Sequence, residues 1–97
     1  MNVIKTQNGN ELTLAVAGRV DTVTAPELEA ELKALDGVTC LVLDLKELEY
    51  ISSAGLRVLL SAQKRMNKQG EMKLRNVDKA IMEIFEVTGF SEILTIE

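Results

Sequence analysis

The sequence contains no histidine and no tryptophan, and Cys40 is its only cysteine among 97 residues. Without histidine, neither a conventional zinc site nor a catalytic imidazole can be assembled, and one cysteine excludes an internal disulfide bond. The apolar neighbours of Cys40 are typical of a strand and favour a small buried residue over a redox site. We therefore expect no cofactor, no metal site and no enzymatic activity.

Long apolar runs and basic clusters are also missing. No stretch approaches the roughly 18 apolar residues of a membrane span, and the first six residues lack the architecture of a signal peptide. The formal net charge is −4 and the lysines and arginines are scattered, which leaves no basic stripe for nucleic acid. These absences predict a cytoplasmic protein that binds neither membranes nor nucleic acids, so that protein partners remain as the default.

The composition that is present is that of an ordinary globular chain. Hydrophobic residues make up 46% of the sequence and charged residues 27%, which argues against disorder. A chain of this length can build one hydrophobic core but not two. We expect one domain spanning residues 1–97.

The strand pattern begins at the N-terminus. Residues 3–5 are followed by Asn8-Gly9, which suits a tight turn, and residues 11–17 then alternate between apolar and polar side chains, so the chain opens with an antiparallel pair. Further strands are predicted at residues 39–45, 72–76 and 93–96, the last one short and at an edge.

A first helix is predicted after the antiparallel pair. Thr24 and Glu27 have the spacing of a capping box, and Val23 and Leu28 have the spacing of a hydrophobic staple. Pro26 falls in the first turn, where its missing N–H costs nothing. Apolar residues then recur at helical spacing, at Leu28, Leu32 and Leu35. Gly37 suits the left-handed position that ends a helix. A second helix is predicted from Ala54 until Gly70 stops it, and a third is predicted to follow Asp78 and close at Gly89.

Strands that alternate with helices of roughly 10 to 15 residues indicate parallel pairing through right-handed crossovers. One face of the predicted strands is apolar, whereas Thr13, Asp44, Lys73 and Arg75 fall on the other face, so the helices should lie on one side. We predict an α/β fold with a mixed sheet of about five strands, an antiparallel N-terminal pair and helices packed mainly on one face.

Ser52 and Ser53 fall on the turn between an apolar strand and the second helix. A helix entered there begins with free N–H groups and the positive end of its macrodipole, which favour a negative group. A phosphate on Ser53 would then accept hydrogen bonds from the N–H groups of Gly55, Leu56 and their neighbours. A serine at this place can also simply cap the helix. However, Ala54 and Gly55 leave the turn open to a kinase or partner, and a glycine there costs roughly 0.5–1 kcal/mol relative to alanine.

Residues 50–60, Tyr-Ile-Ser-Ser-Ala-Gly-Leu-Arg-Val-Leu-Leu, resemble the signature of the STAS domain family, the small anti-sigma factor antagonists of bacteria. In that family an Asp-Ser-Ser/Thr-Gly-Leu core carries a regulatory phosphoserine at the start of the second helix. Aligned on the Gly-Leu pair, the phosphoserine falls on Ser53, Ser52 replaces the aspartate and Ala54 replaces the following Ser/Thr. The segments 18–21 and 87–90 also match, so the resemblance spans nearly the whole chain and implies a single-domain STAS fold.

The resemblance implies a binding module that is controlled by phosphorylation. The unphosphorylated protein would bind an anti-sigma factor, itself a serine kinase, and so release a sigma factor. Phosphorylation of Ser53, with Ser52 as the second choice, would break that complex, and a serine phosphatase would reset it. The residues expected to contact the partner are Asp21, Ser52, Ser53, Ala54, Gly55 and Leu56.

Two alternatives stay open. The chain could be a constitutive STAS adaptor, a subunit of a signalling or lipid-transport assembly whose serine turn docks a partner and is never modified. Asp21 could equally be a solvated turn residue with no role in docking.

Overall fold

The computed structural model describes all 97 residues, Met1–Glu97. It contains five strands, three α-helices and one short 3-10 helix. In chain order these are β1 (Asn2–Asn8), β2 (Glu11–Val20), α1 (Ala25–Glu31), β3 (Cys40–Asp44), β4 (Leu48–Ile51), α2 (Ser53–Gln69), β5 (Glu71–Arg75), α3 (Lys79–Thr88) and the 3-10 helix Phe90–Glu92. The predicted α/β class is therefore confirmed.

The sheet is mixed. Its strands lie in the order β1-β2-β3-β5, with β1 antiparallel to β2 and the other two pairs parallel. Strand β4 pairs in parallel with the last residues of β2, from Gly18 to Val20. The long strand β2 thus pairs with β3 over its first half and with β4 over its final residues. The mixed five-stranded sheet with an antiparallel first pair is confirmed.

The core lies on one face of this sheet. It is a single cluster of 24 buried residues, to which α2 contributes Leu59 and Met66, and α3 contributes Ile81 and Phe85. The strands and Leu45, which directly follows β3, contribute the apolar face that the alternation predicts. Its strand residues are Leu12, Leu14, Val16, Leu41, Leu43, Met72 and Leu74. On the opposite face, Thr13, Asp44 and Lys73 are only partly buried and Arg75 is exposed. The helices pack mainly on one face, as predicted.

No helix in the structure has both the length and the apolar character needed to cross a membrane.

The first helix is shorter than predicted. It ends at Glu31 with Leu32 as its C-terminal cap, so the extension to Gly37 was wrong. Side chains of α2 hold the segment that follows the helix, because Arg65 donates to the carbonyl oxygen of Lys33 at 2.8 Å, and Gln69 donates to those of Leu35 at 2.6 Å and Val38 at 2.7 Å. Apolar residues beyond the helix end remain buried through this contact between the segment and α2.

The predicted capping box and hydrophobic staple were also wrong. Thr24 adopts helical angles and its side chain makes no cap hydrogen bond, because its hydroxyl oxygen accepts instead from the Asp21 N–H at 2.9 Å and its hydroxyl donates to the carbonyl oxygen of Arg19 at 2.8 Å. Val23 is 81% exposed and therefore cannot staple the helix to Leu28. Asp21 organises this helix start, as described below.

Strand β4 was overlooked at the sequence level. Only its two end residues, Leu48 and Ile51, are buried, and Glu49 and Tyr50 between them are exposed. The sequence therefore has no alternating pattern that would predict this strand. The predicted strand 93–96 was wrong in extent, because only a single parallel bridge joins Ile96 to Leu74. The fifth strand of the sheet is therefore β4.

Candidate functional site

The serine turn connects the end of β4 to the start of α2. Ser52 has extended backbone angles, φ −92° and ψ 176°, and α2 begins at Ser53. The Ser52 N–H donates to the carbonyl oxygen of Val20 at 2.8 Å, and the Leu56 N–H donates back to the carbonyl oxygen of Ser52 at 2.9 Å. One residue therefore ties the first turn of α2 to the end of β2.

Gly55 allows this turn to pack closely on the sheet. A Cβ atom at Gly55 would lie 2.6 Å from Cγ1 of Ile51 and 2.7 Å from Cγ1 of Val20, which is closer than carbon atoms normally approach. A glycine is thus required in a first helical turn that would otherwise favour alanine. Gly55 is buried and Leu56 is 5% exposed. Of the residues expected to contact a partner, these two support the turn from below and offer little surface.

The two serines differ in accessibility. Ser53 is exposed at the first position of the helix, whereas Ser52 is partly buried. The Ser52 Oγ is enclosed and has no hydrogen-bond partner. Ser52 occupies the N-cap position but its side chain makes no cap hydrogen bond, so the interpretation of this serine as a simple helix cap is wrong.

The free N–H groups of α2 belong to its first turn, which starts at the exposed Ser53. Because the Leu56 N–H is already bonded to Ser52, the donors without an intrahelical acceptor are those of Ser53, Ala54 and Gly55. The sequence-based expectation that Leu56 would donate to a phosphate was wrong for this reason. No acidic residue lies in the first turn, so the positive end of the helix dipole is not neutralised within it.

Asp21 directly follows β2 and shapes the loop beside the serine turn. Its Oδ1 accepts from the N–H groups of Val23 at 3.0 Å and Thr24 at 3.1 Å. The Thr24 N–H has the largest effect on the pKa of Asp21 and, with the Val23 N–H, the Thr24 hydroxyl and the positive charge of Arg19, lowers that pKa against an opposing effect of burial. Asp21 is therefore an ionised carboxylate that organises the turn. This gives a physical basis to its interpretation as a solvated turn residue.

This loop and α2 border a shared surface depression of about 330 Å³. Its lining residues come from two segments, with Thr22, Ala25, Pro26 and Glu29 on the α1 side and Ala54, Arg57 and Val58 on the α2 side. The structure thus brings the Asp21 loop and the serine turn to the same end of the sheet. The depression itself and the exposed Val23 were missed, because the apolar character of Val23 had been attributed to a hydrophobic staple.

Cys40 lies away from this site, at the start of β3, and is partly rather than fully buried. Desolvation raises its pKa, and the negative charges of Glu71 and Glu11 raise it further, so the thiol stays protonated at neutral pH. No group of three or more Cys, Asp or Glu side chains is arranged to hold a metal ion. The chemistry available at the serine turn is that of an exposed hydroxyl beside free N–H donors.

A family model described as Mlab, STAS domain, matches residues 4–95. Among characterised proteins, the anti-sigma-B factor antagonist of Bacillus subtilis is 34% identical over 98 residues, an alignment that covers 99% of this chain and 90% of that protein. BtrV of Bordetella bronchiseptica, named as a candidate anti-sigma factor antagonist, is 42% identical over 88 residues, covering 88% of this chain and 76% of BtrV.

A solved structure gives the same likeness in three dimensions. The crystal structure of an anti-sigma factor antagonist from Mycobacterium paratuberculosis superposes with a TM-score of 0.88 at 25% sequence identity, covering 98% of this chain and 83% of that one. The similarity in sequence and the similarity in fold therefore both extend across the strands, the serine turn and all three helices.

Proposed function

The chain belongs to the STAS domain family, and we propose that it is an anti-sigma factor antagonist controlled by phosphorylation of Ser53. In its unmodified form it binds an anti-sigma factor that is also a serine kinase, and this binding releases a sigma factor. A serine phosphatase returns the modified protein to the binding form. The observation that carries the role is the 34% identity to the Bacillus subtilis anti-sigma-B factor antagonist across 99% of this chain.

Accessibility supports Ser53 as the phosphate acceptor. A kinase must reach the hydroxyl oxygen with the γ-phosphate of ATP, and Ser53 is exposed at the tip of the turn. The Ser52 Oγ is enclosed, so its phosphorylation would require the turn to open. We therefore keep Ser53 ahead of Ser52.

The free N–H groups explain how the fold tolerates this modification. A phosphoserine adds about −1.5 to −2 charges and three acceptor oxygens. At Ser53 those oxygens lie next to the unpaired N–H groups of the first turn, and a negative group there gains about 0.3–2 kcal/mol from the helix dipole. The folded state accepts the phosphate without disruption. The modification therefore weakens partner binding, because it puts a charged and hydrated group on the surface where the partner docks.

The docking surface that we propose combines the serine turn with the Asp21 loop. Ser53 and Ala54 form one side, and Val23, held outward by the Asp21 turn, forms the other. The depression between α1 and α2 continues this surface. Asp21 contributes chiefly by shaping the loop, since its Oδ1 is occupied by two backbone N–H groups.

This role requires binding alone, with no catalytic residue and no cofactor in the chain itself. The phosphoryl chemistry belongs to the kinase and phosphatase partners. Neither nucleic acid nor membrane takes part directly, and the proposed action on a sigma factor lies in the cytoplasm.

A constitutive adaptor is the second candidate. The family model that matches this chain is described by the name Mlab rather than as an anti-sigma factor antagonist, and Ser52 stands where the resemblance has an aspartate. In this alternative the serine turn docks a partner within a larger signalling or lipid-transport assembly and is never phosphorylated.

The test is to incubate the purified chain with ATP and any serine kinase encoded beside its gene, and to locate phosphate by mass spectrometry. We expect one phosphate on Ser53, and loss of kinase binding in calorimetry once it is attached. Binding without phosphorylation of either serine would favour the adaptor. Absence of both binding and phosphorylation for every neighbouring kinase would contradict the proposed function.

A further inference from the structure

We propose that Arg57 is the internal counter-ion of a phosphate on Ser53, so that the modification also withdraws this guanidinium from the docking surface. The inference rests on the proposed phosphorylation of Ser53. It adds Arg57 to the proposed phosphorylation switch at Ser53. Neither helix capping nor core packing explains an arginine at this position.

The spacing of the two residues brings their side chains together. Ser53 is the first residue of α2 and Arg57 follows four residues later, and both are exposed. Residues at i and i+4 of a helix lie on the same face with about 5–6 Å between their Cβ atoms. The long arginine side chain can therefore place its guanidinium against the phosphate oxygens while the helix stays intact.

Arg57 is available for this contact. The ion pairs of the structure join Lys5 to Glu31, Arg65 to Asp36, Lys73 to Glu71 and Arg75 to Glu97. Arg57 belongs to none of them, although Glu29 lines the same depression. A cation without an internal partner, one turn beyond an exposed serine, is free to pair with a group added to that serine.

No other cation of α2 can take this place. The next one, Lys64, lies 11 residues after Ser53, roughly 16 Å along the helix axis at 1.5 Å per residue. Arg19, on β2, stacks over the ring of Tyr50 with its guanidinium carbon 4.5 Å from the ring centroid. Arg57 is therefore the cation that the helix itself presents to Ser53.

The chemistry suits an arginine. Its planar guanidinium donates two parallel hydrogen bonds to a phosphate, and charge-assisted bonds of this kind are roughly twice as strong as neutral ones. In the unmodified protein, the same guanidinium borders the depression between α1 and α2 and is open to an acidic group of the partner. Phosphorylation then changes two features of the surface together, because it adds an anion at Ser53 and turns the cation at Arg57 inward to neutralise part of it.

The experiment places phosphoserine at position 53 during translation, through an expanded genetic code, so that no kinase is needed. The second ionisation of the phosphate is then followed by phosphorus NMR in the parent, Arg57→Gln and Arg57→Lys proteins at low salt. Lys64→Gln is the matched control, since it removes one positive charge from the same helix beyond the reach of the phosphate. We expect Arg57→Gln to raise the phosphate pKa by roughly 0.5 unit, Arg57→Lys by less, and Lys64→Gln by under about 0.2 unit.

Equal shifts in Arg57→Gln and Lys64→Gln, or no shift in either, would overturn the inference. Because the phosphate is installed without a kinase, this result is separate from the fate of the proposed function. A normal Arg57 effect in a protein that no kinase modifies would count against the function and leave the pairing intact.

Discussion

The backbone N–H of Ser52 donates a 2.8 Å hydrogen bond to the carbonyl oxygen of Val20. Each of these residues is followed directly by one of the two polar residues assigned to the site, Ser53 and Asp21. A single contact, the last in the pairing of β4 with β2, therefore brings together two segments that are 32 residues apart. The position of the site depends on β4, the strand that carries the chain from β3 to the start of α2.

Because the backbone at Gly55 packs closely on the sheet, we expect Gly55→Ala to lower stability, although alanine normally stabilises a helix. On helix propensity alone, Gly55→Ala would stabilise the protein by about 0.5–1 kcal/mol. Because the added methyl would lie 2.6 Å from Ile51 and 2.7 Å from Val20, we expect it instead to destabilise the fold by about 1–3 kcal/mol through overpacking. Urea denaturation followed by circular dichroism measures the difference. A variant more stable than the parent would show that the turn has room for a side chain.

The faces of α2 give a second stability prediction. Leu59 is 1% exposed, so Leu59→Ala should leave a cavity and lower the free energy of unfolding by roughly 2–5 kcal/mol. Arg57 is exposed and makes no ion pair in the unmodified protein, so Arg57→Ala should change that free energy by less than about 0.5 kcal/mol. Equal urea midpoints for the two variants would contradict this assignment of the helix faces.

Much of the fold follows from periodicity. Leu12 and Leu14 on β2 alternate with polar residues, and Leu59 and Met66 recur at helical spacing on α2. Each of these patterns is long enough to identify both the element and its buried face. The serine turn was found because the helical pattern of α2 begins there and because residues 50–60 resemble the STAS signature.

The errors arose where tertiary contacts replace local signals. Strand β4 has four residues and only two of them are buried, so its pairing with β2 leaves almost no trace in the sequence. The first helix stops early where long-range contacts take over, because Arg65 and Gln69, more than thirty residues away, donate to carbonyl oxygens of the segment that follows it. Thr24 and Glu27 match a capping box, but Asp21 competes successfully for the N–H groups at that helix start.

The lowered pKa of Asp21 makes folding depend on pH. The Thr24 N–H is the main cause of this shift, and its hydrogen bond favours the ionised carboxylate in the folded state. The unfolded chain therefore binds this proton first as the pH falls, and the stability that Asp21 contributes is present at neutral pH and is lost below about pH 4. Asp21→Asn, which keeps the size of the side chain, should reduce the slope of unfolding free energy against pH between 5 and 3. An unchanged slope would contradict this role.

Ser52 and Asp78 both occupy helix N-cap positions, but only the side chain of Asp78 makes a cap hydrogen bond. Asp78 accepts from the N–H of Ile81 at 2.9 Å and is a true N-cap of α3, so Asp78→Ala should cost about 0.5–2 kcal/mol. Ser52→Ala removes an enclosed oxygen without a partner and should change stability by less than about 0.5 kcal/mol in either direction. Thermal and urea unfolding of the two variants test this contrast. A loss at Ser52 as large as that at Asp78 would mean that its hydroxyl makes a cap bond in solution.

The last prediction concerns binding at Ser53. Ser53→Ala removes the proposed phosphate acceptor from an exposed position and should keep partner affinity while abolishing phosphorylation. Ser53→Asp places a charge on the proposed docking surface and should weaken binding by at least about tenfold, or roughly 1.4 kcal/mol. Asn67→Asp is the matched control, because it adds the same charge near the opposite end of α2 and Asn67 is also exposed.

Calorimetry with the anti-sigma factor encoded beside the gene compares these affinities, and mass spectrometry of the kinase-treated variants identifies the modified residue. Ser52→Ala should still be phosphorylated, since its own hydroxyl is enclosed and Ser53 remains accessible. Two outcomes would count against the assignment, namely phosphate on Ser52 in the parent protein and a Ser53→Asp variant that binds as tightly as the parent. If Asn67→Asp weakened binding as much as Ser53→Asp, the effect would come from net charge and not from the serine turn.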